Sequence, residues 1–304
     1  MTRRGLLLFA AMCLIWGIPY LLIRVAVSEI SPAMLVFMRT AIGAAILMPV
    51  VLARGGLRGL GPNWVAILAF AAFEIGGPWF LMSSAEQHIS SSLAGLLVSA
   101  VPLIGVVLAP MFGNREGIGP VAIGGLLLGL VGVIAIVGLD VRAANALAIA
   151  EMGLVVFGYA LGPAIATRFL QGVPSVSVTG ISLAACAIAY APVAVLQWPH
   201  TMPSLKVFGS VAVLAVVCTA LAFLLFFALI AEIGPVRATV ITYVNPAVAA
   251  LLGVAVLHET FTIWMGVGFV LVLLGSTVAT RRRARAAPET APERAPEFVT
   301  REAL

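Results

Sequence analysis

Charge is scarce in this 304-residue sequence: Asp, Glu, Lys and Arg together make up 10% of it, while 62% is hydrophobic. Soluble domains run at about 45–50% apolar and about 25% charged. A water-exposed fold could not hide the surplus, which excludes a soluble enzyme or binding module and implies an integral membrane protein. Cysteine is scarce too. Cys13, Cys186 and Cys218 lie far apart inside apolar runs, so there is no disulfide framework or zinc spacing, and buried structural thiols are the reading. His88, His200 and His258 are too separated to form a ligand set locally. His258-Glu259 opens like a zinc-protease helix, but Thr262 stands where the second ligand belongs. No glycine loop ending in Lys-Ser/Thr and no Gly-x-Ser-x-Gly occurs, so ATP-driven transport and serine hydrolysis lose their simplest support. No cofactor and no metal is expected.

The formal charge of +5 does not mark a nucleic-acid binder, because the basic residues fall singly in short turns or in the Arg281-Arg282-Arg283 and Arg285 cluster after the last apolar run. That distribution belongs to membrane flanks. Apolar runs of about 20 residues cross a hydrocarbon core of about 30 Å. Ten can be placed, at 5–26, 33–53, 63–86, 91–112, 119–139, 145–169, 177–197, 207–232, 236–257 and 262–280. Breakers such as Ser31-Pro32, Gly55-Gly56, Gly61-Pro62 and Gly234-Pro235 separate them. The first run has no small-x-small cleavage site and reads as an uncleaved span. With the N-terminus inside, the cytoplasmic ends hold Arg3, Arg4, Arg54, Arg58, Arg115, Arg168, Arg237 and Arg281 to Arg285, against Arg24, Arg142 and Lys206 outside. Both termini are therefore expected in the cytoplasm of an inner-membrane protein. Residues 281–304, rich in Ala, Pro, Glu and Arg, read as a disordered cytoplasmic tail.

One stretch occurs twice. At a shift of 144, Ala94 falls on Ala238 and Pro102 on Pro246; at 143, Glu116 falls on Glu259, Gly125 on Gly268 and Gly132 on Gly275. Five spans per half is an odd number, so the second half is expected upside down relative to the first. The fold class is all-α integral membrane: ten transmembrane helices as two inverted five-helix repeats, residues 1–140 and 141–280. That is the arrangement of many secondary transporters. The repeated small-residue run, mid-helix proline and turn glutamate, with Trp16-Gly17 and Arg39, resemble the drug/metabolite transporter superfamily in its EamA-like branch. The resemblance covers about residues 6–280. It implies a central cavity among spans one, three, four, six, eight and nine.

Intramembrane charges are the sharpest candidates. Glu74 lies in mid-span, where an acid costs about 2.5–3.5 kcal/mol on insertion scales. It must face a wet cavity, hold a partner or carry a proton. The functional reading is proton coupling or cation binding; the structural one is a hydrogen-bonded carboxylic acid. Arg39 and Glu151 sit at similar depth, counted at about 1.5 Å per residue, and could pair. Arg39 with Glu74 is the alternative, and an anchor for an anionic solute group the minority reading. Pro102 and Pro246 each free a carbonyl that needs protein or a wet cavity. Beside them lie Ser91, Gly95 and Ser99 on one span, and Thr239, Thr242, Ala249 and Gly253 on the other, with Tyr243 and Asn245 adding polar groups. These faces read as pathway wall or as close helix packing. Trp16, Tyr20, Trp79 and Tyr159 suggest an aromatic-lined cavity. Glu116 and Glu259 are expected to cap the helices that follow them. Gly125/Gly129 and Gly158/Gly162 read as helix-contact pairs, and dimerisation through span five or ten would fit.

The expected function is secondary transport of a small organic solute, such as an amino acid, an aromatic metabolite or a drug-like amphiphile, with membrane lipid as surroundings and no nucleic-acid partner. Alternating access would move it, proton-coupled or as uncoupled facilitated diffusion, and family analogy favours export. A membrane-embedded lipid enzyme would need an interfacial polar cluster, for which only Glu86-Gln87-His88 is available. A nucleotide-sugar antiporter would need several basic residues in the cavity, and only Arg39 is there.

Overall fold

The computed structural model describes residues 2–57, 61–112, 119–138, 146–199, 201–238 and 240–280. Expectations for Arg58, Arg115, Glu116, Arg142, His200, Thr239 and the tail 281–304 lie outside the described residues. The described chain forms helices α1 (Arg3–Ala26), α2 (Pro32–Ala53), α3 (Gly61–Ala85), α4 (Ser91–Phe112), α5 (Pro120–Val137), α6 (Ala146–Phe169), α7 (Ser175–Leu196), α8 (Leu205–Ile233), α9 (Ile241–Leu257) and α10 (Ile263–Thr280). Among the described residues, all but α9 are long and apolar enough to cross a membrane; α9 has 17 residues and follows a single helical turn at Pro235–Ala238. Large apolar side chains point outward along the bundle, Ile188 75%, Leu251 66% and Leu127 58% exposed, a surface suited to lipid. The chain is a multi-pass membrane protein.

Hydroxyl side chains start five of these helices. Thr2, Ser31, Ser90, Ser204 and Thr262 each accept from the backbone N–H three residues on, satisfying a donor that has no partner inside the helix. The helices pack in pairs: α5 along α10, α2 along α7, α4 against α9, α3 against α6 and α1 against α8. Glycine sets the closest of these. A Cβ added at Gly125 would lie 2.5 Å from the Ala279 nitrogen, and one at Gly275 would lie 2.4 Å from the Gly129 nitrogen, so α5 and α10 meet backbone to backbone.

Two helices are interrupted. α1 turns at Trp16 to Ile18 before Pro19, and α4 turns at Ser99 and Ala100 before Pro102. Pro102 thus starts a new helical segment, where its missing N–H costs nothing. Pro246, expected to act alike, lies inside unbroken α9. Two other helices widen instead. α3 forms a π-turn at Ala71–Gly76 and α8 one at Val216–Leu221.

Candidate functional site

The site is built on these two wide turns. Pro78 has no N–H, so the carbonyl four residues earlier loses its partner and the helix opens. Side chains of α7 supply donors along this stretch: Tyr190 Oη gives to the Gly76 carbonyl at 3.0 Å and Cys186 Sγ to that of Ala71 at 3.5 Å. The three cysteines are buried and free. The turn carries Glu74 against α6 at Gly162, where an added Cβ would stand 2.1 Å from Glu74 Oε2. That oxygen is buried and has no hydrogen-bond partner. Gly158, the other member of the pair, meets the Phe73 carbonyl and Pro78.

In α8 the turn presents Thr219. Its Oγ1 donates to the Leu214 carbonyl, five residues back, at 2.8 Å and accepts from Arg39 Nε at 2.8 Å. The Arg39 guanidinium also lies 3.6 Å over the Trp79 ring. Arg39 is buried, and no carboxylate of the described residues pairs with it. The expected tie to Glu151 is not formed: Glu151 Oε1 accepts from Ser84 Oγ at 2.8 Å. The alternative tie to Glu74 is not formed either. Depth counted along a helix fixes height but not direction around the axis. Tyr159 packs against the buried cluster that contains Trp79, and Tyr20 is buried beside Gly95. Arg39, Tyr20, Trp79 and Tyr159 thus form one cluster contributed by α1, α2, α3 and α6. Trp16 stands apart, packed on Phe226 at 4.7 Å and Phe223 at 5.8 Å.

The small-residue faces of α4 and α9 meet each other. A Cβ at Gly95 would stand 2.6 Å from that of Ala249, and one at Gly253 would stand 2.2 Å from Ser92 Oγ. Ser99 donates to the Leu96 carbonyl of its own helix at 2.5 Å. With its amide nitrogen turned toward the carbonyls, Asn245 donates to Cys13 at 3.1 Å and Ile241 at 3.0 Å, tying α9 to α1. Tyr243 Oη pairs with Ser276 Oγ of α10 at 3.1 Å. Pro246 is buried, Pro102 half-buried and Thr242 exposed.

Glu259 corrects the capping expectation. It serves the start of α4, accepting from the N–H groups of Ser91 at 2.8 Å and Ser92 at 2.9 Å and from Ser92 Oγ at 2.6 Å. Its own neighbour α10 uses Thr262, whose hydroxyl accepts from the Met265 N–H at 3.2 Å. Burial pushes the Glu259 carboxyl up, but the bonds from Ser92 and Ser91 outweigh it and hold it below its ordinary value. At the same end Glu29 accepts from Ser204 N and Oγ at 2.6 and 2.7 Å, and these bonds lower it. At the opposite end Glu232 accepts from Thr2 Oγ1 at 2.5 Å and lies 4.0 Å from Arg4. Hollows of about 480 Å³ beside Arg54 and Ser177, and about 410 Å³ beside Arg24 and Gln87, open near the two ends. Neither is lined by Arg39, Trp79 or Glu74. With Arg39 5%, Tyr20 6% and Trp79 6% exposed, the central cluster is occluded in this conformation.

The sequence pattern of the EamA-like transporter family matches residues 3–138 and again 147–281. The chain is 27% identical over 274 residues to the uncharacterized inner membrane transporter YedA of Escherichia coli K12, covering 87% of this chain and 89% of that protein. It is 23% identical over 268 residues to an uncharacterized transporter of Archaeoglobus fulgidus, covering 88% of this chain and 95% of the other. A solved crystal structure 23% identical to it aligns over 92% of this chain and 97% of its own, with a TM-score of 0.65, a likeness of fold.

Proposed function

The chain belongs to the EamA-like transporter family, which makes it a membrane transporter rather than an enzyme, and on that premise we propose that it carries small organic solutes bearing an acidic group on an apolar body, amino acids and aromatic metabolites among them. The observation that supports this is the buried Arg39 charge, held by a ring and a hydroxyl with no carboxylate opposite it among the described residues. A buried charge without a counter-charge is costly, and a guanidinium offers a planar fork that suits a carboxylate. Trp79, Tyr20 and Tyr159 supply apolar surface beside it. This favours the anionic-anchor reading of Arg39 over a purely structural tie.

Alternating access between two inverted five-helix repeats is the proposed mechanism. Two family matches support it, as do the π-turns of α3 and α8, which stand 145 positions apart. The α2–α7, α4–α9 and α5–α10 pairs each join one helix to its counterpart in the other half. Both termini are placed inside, in an inner membrane, on the distribution of basic residues; the Glu259 end is then outside and closed here. Proton coupling through Glu74 and an outward direction belong to the same proposal, the latter on family resemblance.

Uptake or counterflow of labelled amino acids, aromatic carboxylates and cationic amphiphiles in proteoliposomes tests the substrate class. Arg39→Gln is expected to reduce transport of the acidic solutes at least about tenfold, a loss on the order of 1.4 kcal/mol in recognition, while Arg39→Lys, which keeps charge but loses the fork, falls between. Unchanged transport in Arg39→Gln, or movement of the cationic amphiphiles alone, rules the proposal out. Running the assay with and without a pH gradient separates coupled from facilitated transport.

A further inference from the structure

The turn after α3 holds a carboxyl group that transport through the Arg39 cluster does not use. Glu86 is 0% exposed, and neither of its carboxyl oxygens has a hydrogen-bond partner. Most of the donors around it are committed elsewhere. Arg24 gives to the backbone carbonyl of Glu86 rather than to its side chain. Gln87 Nε2 reaches the Val27 carbonyl at 3.5 Å. The Ser91 and Ser92 N–H groups and the Ser92 hydroxyl serve Glu259. Ser91 Oγ is buried and also lacks a partner. The charged and titratable groups near enough to act electrostatically on Glu86 are Arg24 and Tyr20 from α1, Tyr159 from α6 and Glu259 from the α9–α10 turn. Of the other charged groups nearby, Glu151 of α6 is engaged by Ser84, and Arg39 of α2 by Thr219 and Trp79.

We propose that Glu86 is a proton-binding site that keeps the Glu259 end closed, the protonated acid being the form this end can bury and loss of the proton driving it open. An ionised carboxyl sealed from water with no donor is far costlier than the neutral acid, and the Glu259 charge adds repulsion of the same sign. The proton leaves to the water that enters as the end opens. Glu86 lies in the turn that delivers the α4 N-terminus to Glu259, so wetting Glu86 and releasing Ser91 and Ser92 are one motion. The two acids act oppositely. Glu259 must be ionised to accept its three bonds, and Glu86 must be neutral to stay buried. Closure therefore holds in a pH window, failing on the acid side through Glu259 and on the alkaline side through Glu86. This rests on the alternating-access reading, but the proton site requires no knowledge of the solute.

Hydrogen exchange of the full chain in nanodiscs, corrected for intrinsic rates, reads the opening at residues 87–93 and 259–262 across mildly acid to alkaline pH. The wild type is expected to be protected at mid-range and to exchange at least about tenfold faster on the alkaline side. Glu86→Gln, a neutral isostere, stays protected there. Protection of the α5–α10 seam reports that each variant is folded. Infrared spectroscopy of the wild type should show a buried protonated-carboxyl component that is missing from Glu86→Gln and disappears over the same pH range. A Glu86→Gln variant with the wild-type transition, a wild type with flat protection, or absence of the carboxyl band overturns the proposal. The solute assay can fail while this transition persists, so the two readings fall separately.

Discussion

Gly162 has no side chain, and the Glu74 carboxyl occupies the room this leaves. Gly162→Ala is therefore expected to destabilise the protein by about 1–3 kcal/mol through overpacking, read as a lower melting temperature in detergent. The loss should be smaller in a background where Glu74 is already Ala, since the colliding oxygen is then gone. At this scale the sequence was informative about which residues are unusual and poor at naming their partners. Glu74 and Arg39 stand out because charge is rare at their depth. Nothing local points to Thr219 as the acceptor for Arg39, because Thr219 reaches it only from a helix that has widened. Counting residues put Arg39 level with Glu151, yet the two side chains leave their helices toward different neighbours, Thr219 and Ser84. Ser99, on a face that read as pathway wall or close packing, donates its hydroxyl proton to a carbonyl of its own helix.

Among the helices, span positions were legible from length and hydropathy to within a few residues, but internal irregularities were only half so. A proline marks the interruptions of α1 and α4 and the wide turn of α3. Val216–Leu221 of α8 contains neither proline nor glycine, so no residue pattern announces it, and it is the turn that places Thr219. The clasp between the α9–α10 turn and the start of α4 was misassigned for a related reason. An acid just before a helix is a fair cap for that helix, and only the packing of α4 on α9 brings a competing N-terminus closer. Glu259→Ala removes three hydrogen bonds to a charged acceptor. It is expected to speed amide exchange at Ser91 and Ser92, with a stability loss of about 1.5–3 kcal/mol for the first such bond and less for the rest. Because the Glu259 carboxyl is held below its ordinary value in the folded protein, the clasp is at full strength above the unfolded pKa. It weakens as pH falls through the lowered folded value. Exchange at the α4 start measured down an acid titration checks this sign: protection that rose with acid would contradict it.

For the molecule as a whole, composition alone gave a membrane protein, and internal similarity gave a chain of two related halves. Occlusion of the centre was not legible, because it depends on how Arg39, Tyr20 and Trp79 of three different helices pack together. The seam between α5 and α10 provides the prediction at this scale. The Gly275 Cα faces the Gly129 backbone at a distance that admits no Cβ, and backbone cannot step aside as a flexible side chain can. Gly275→Val should thus cost at least about 3 kcal/mol and cut the yield of folded protein, whereas Val at the neighbouring outward position Leu274, 52% exposed, should be tolerated; equal yields would contradict the tight seam. Where main chain meets main chain there are no rotamers to exchange and hence one way to fit. The pair is expected to behave as a keel, keeping its shape while the remaining helices tilt around it. Residues of the Arg39 cluster could then change without disturbing the seam between α5 and α10.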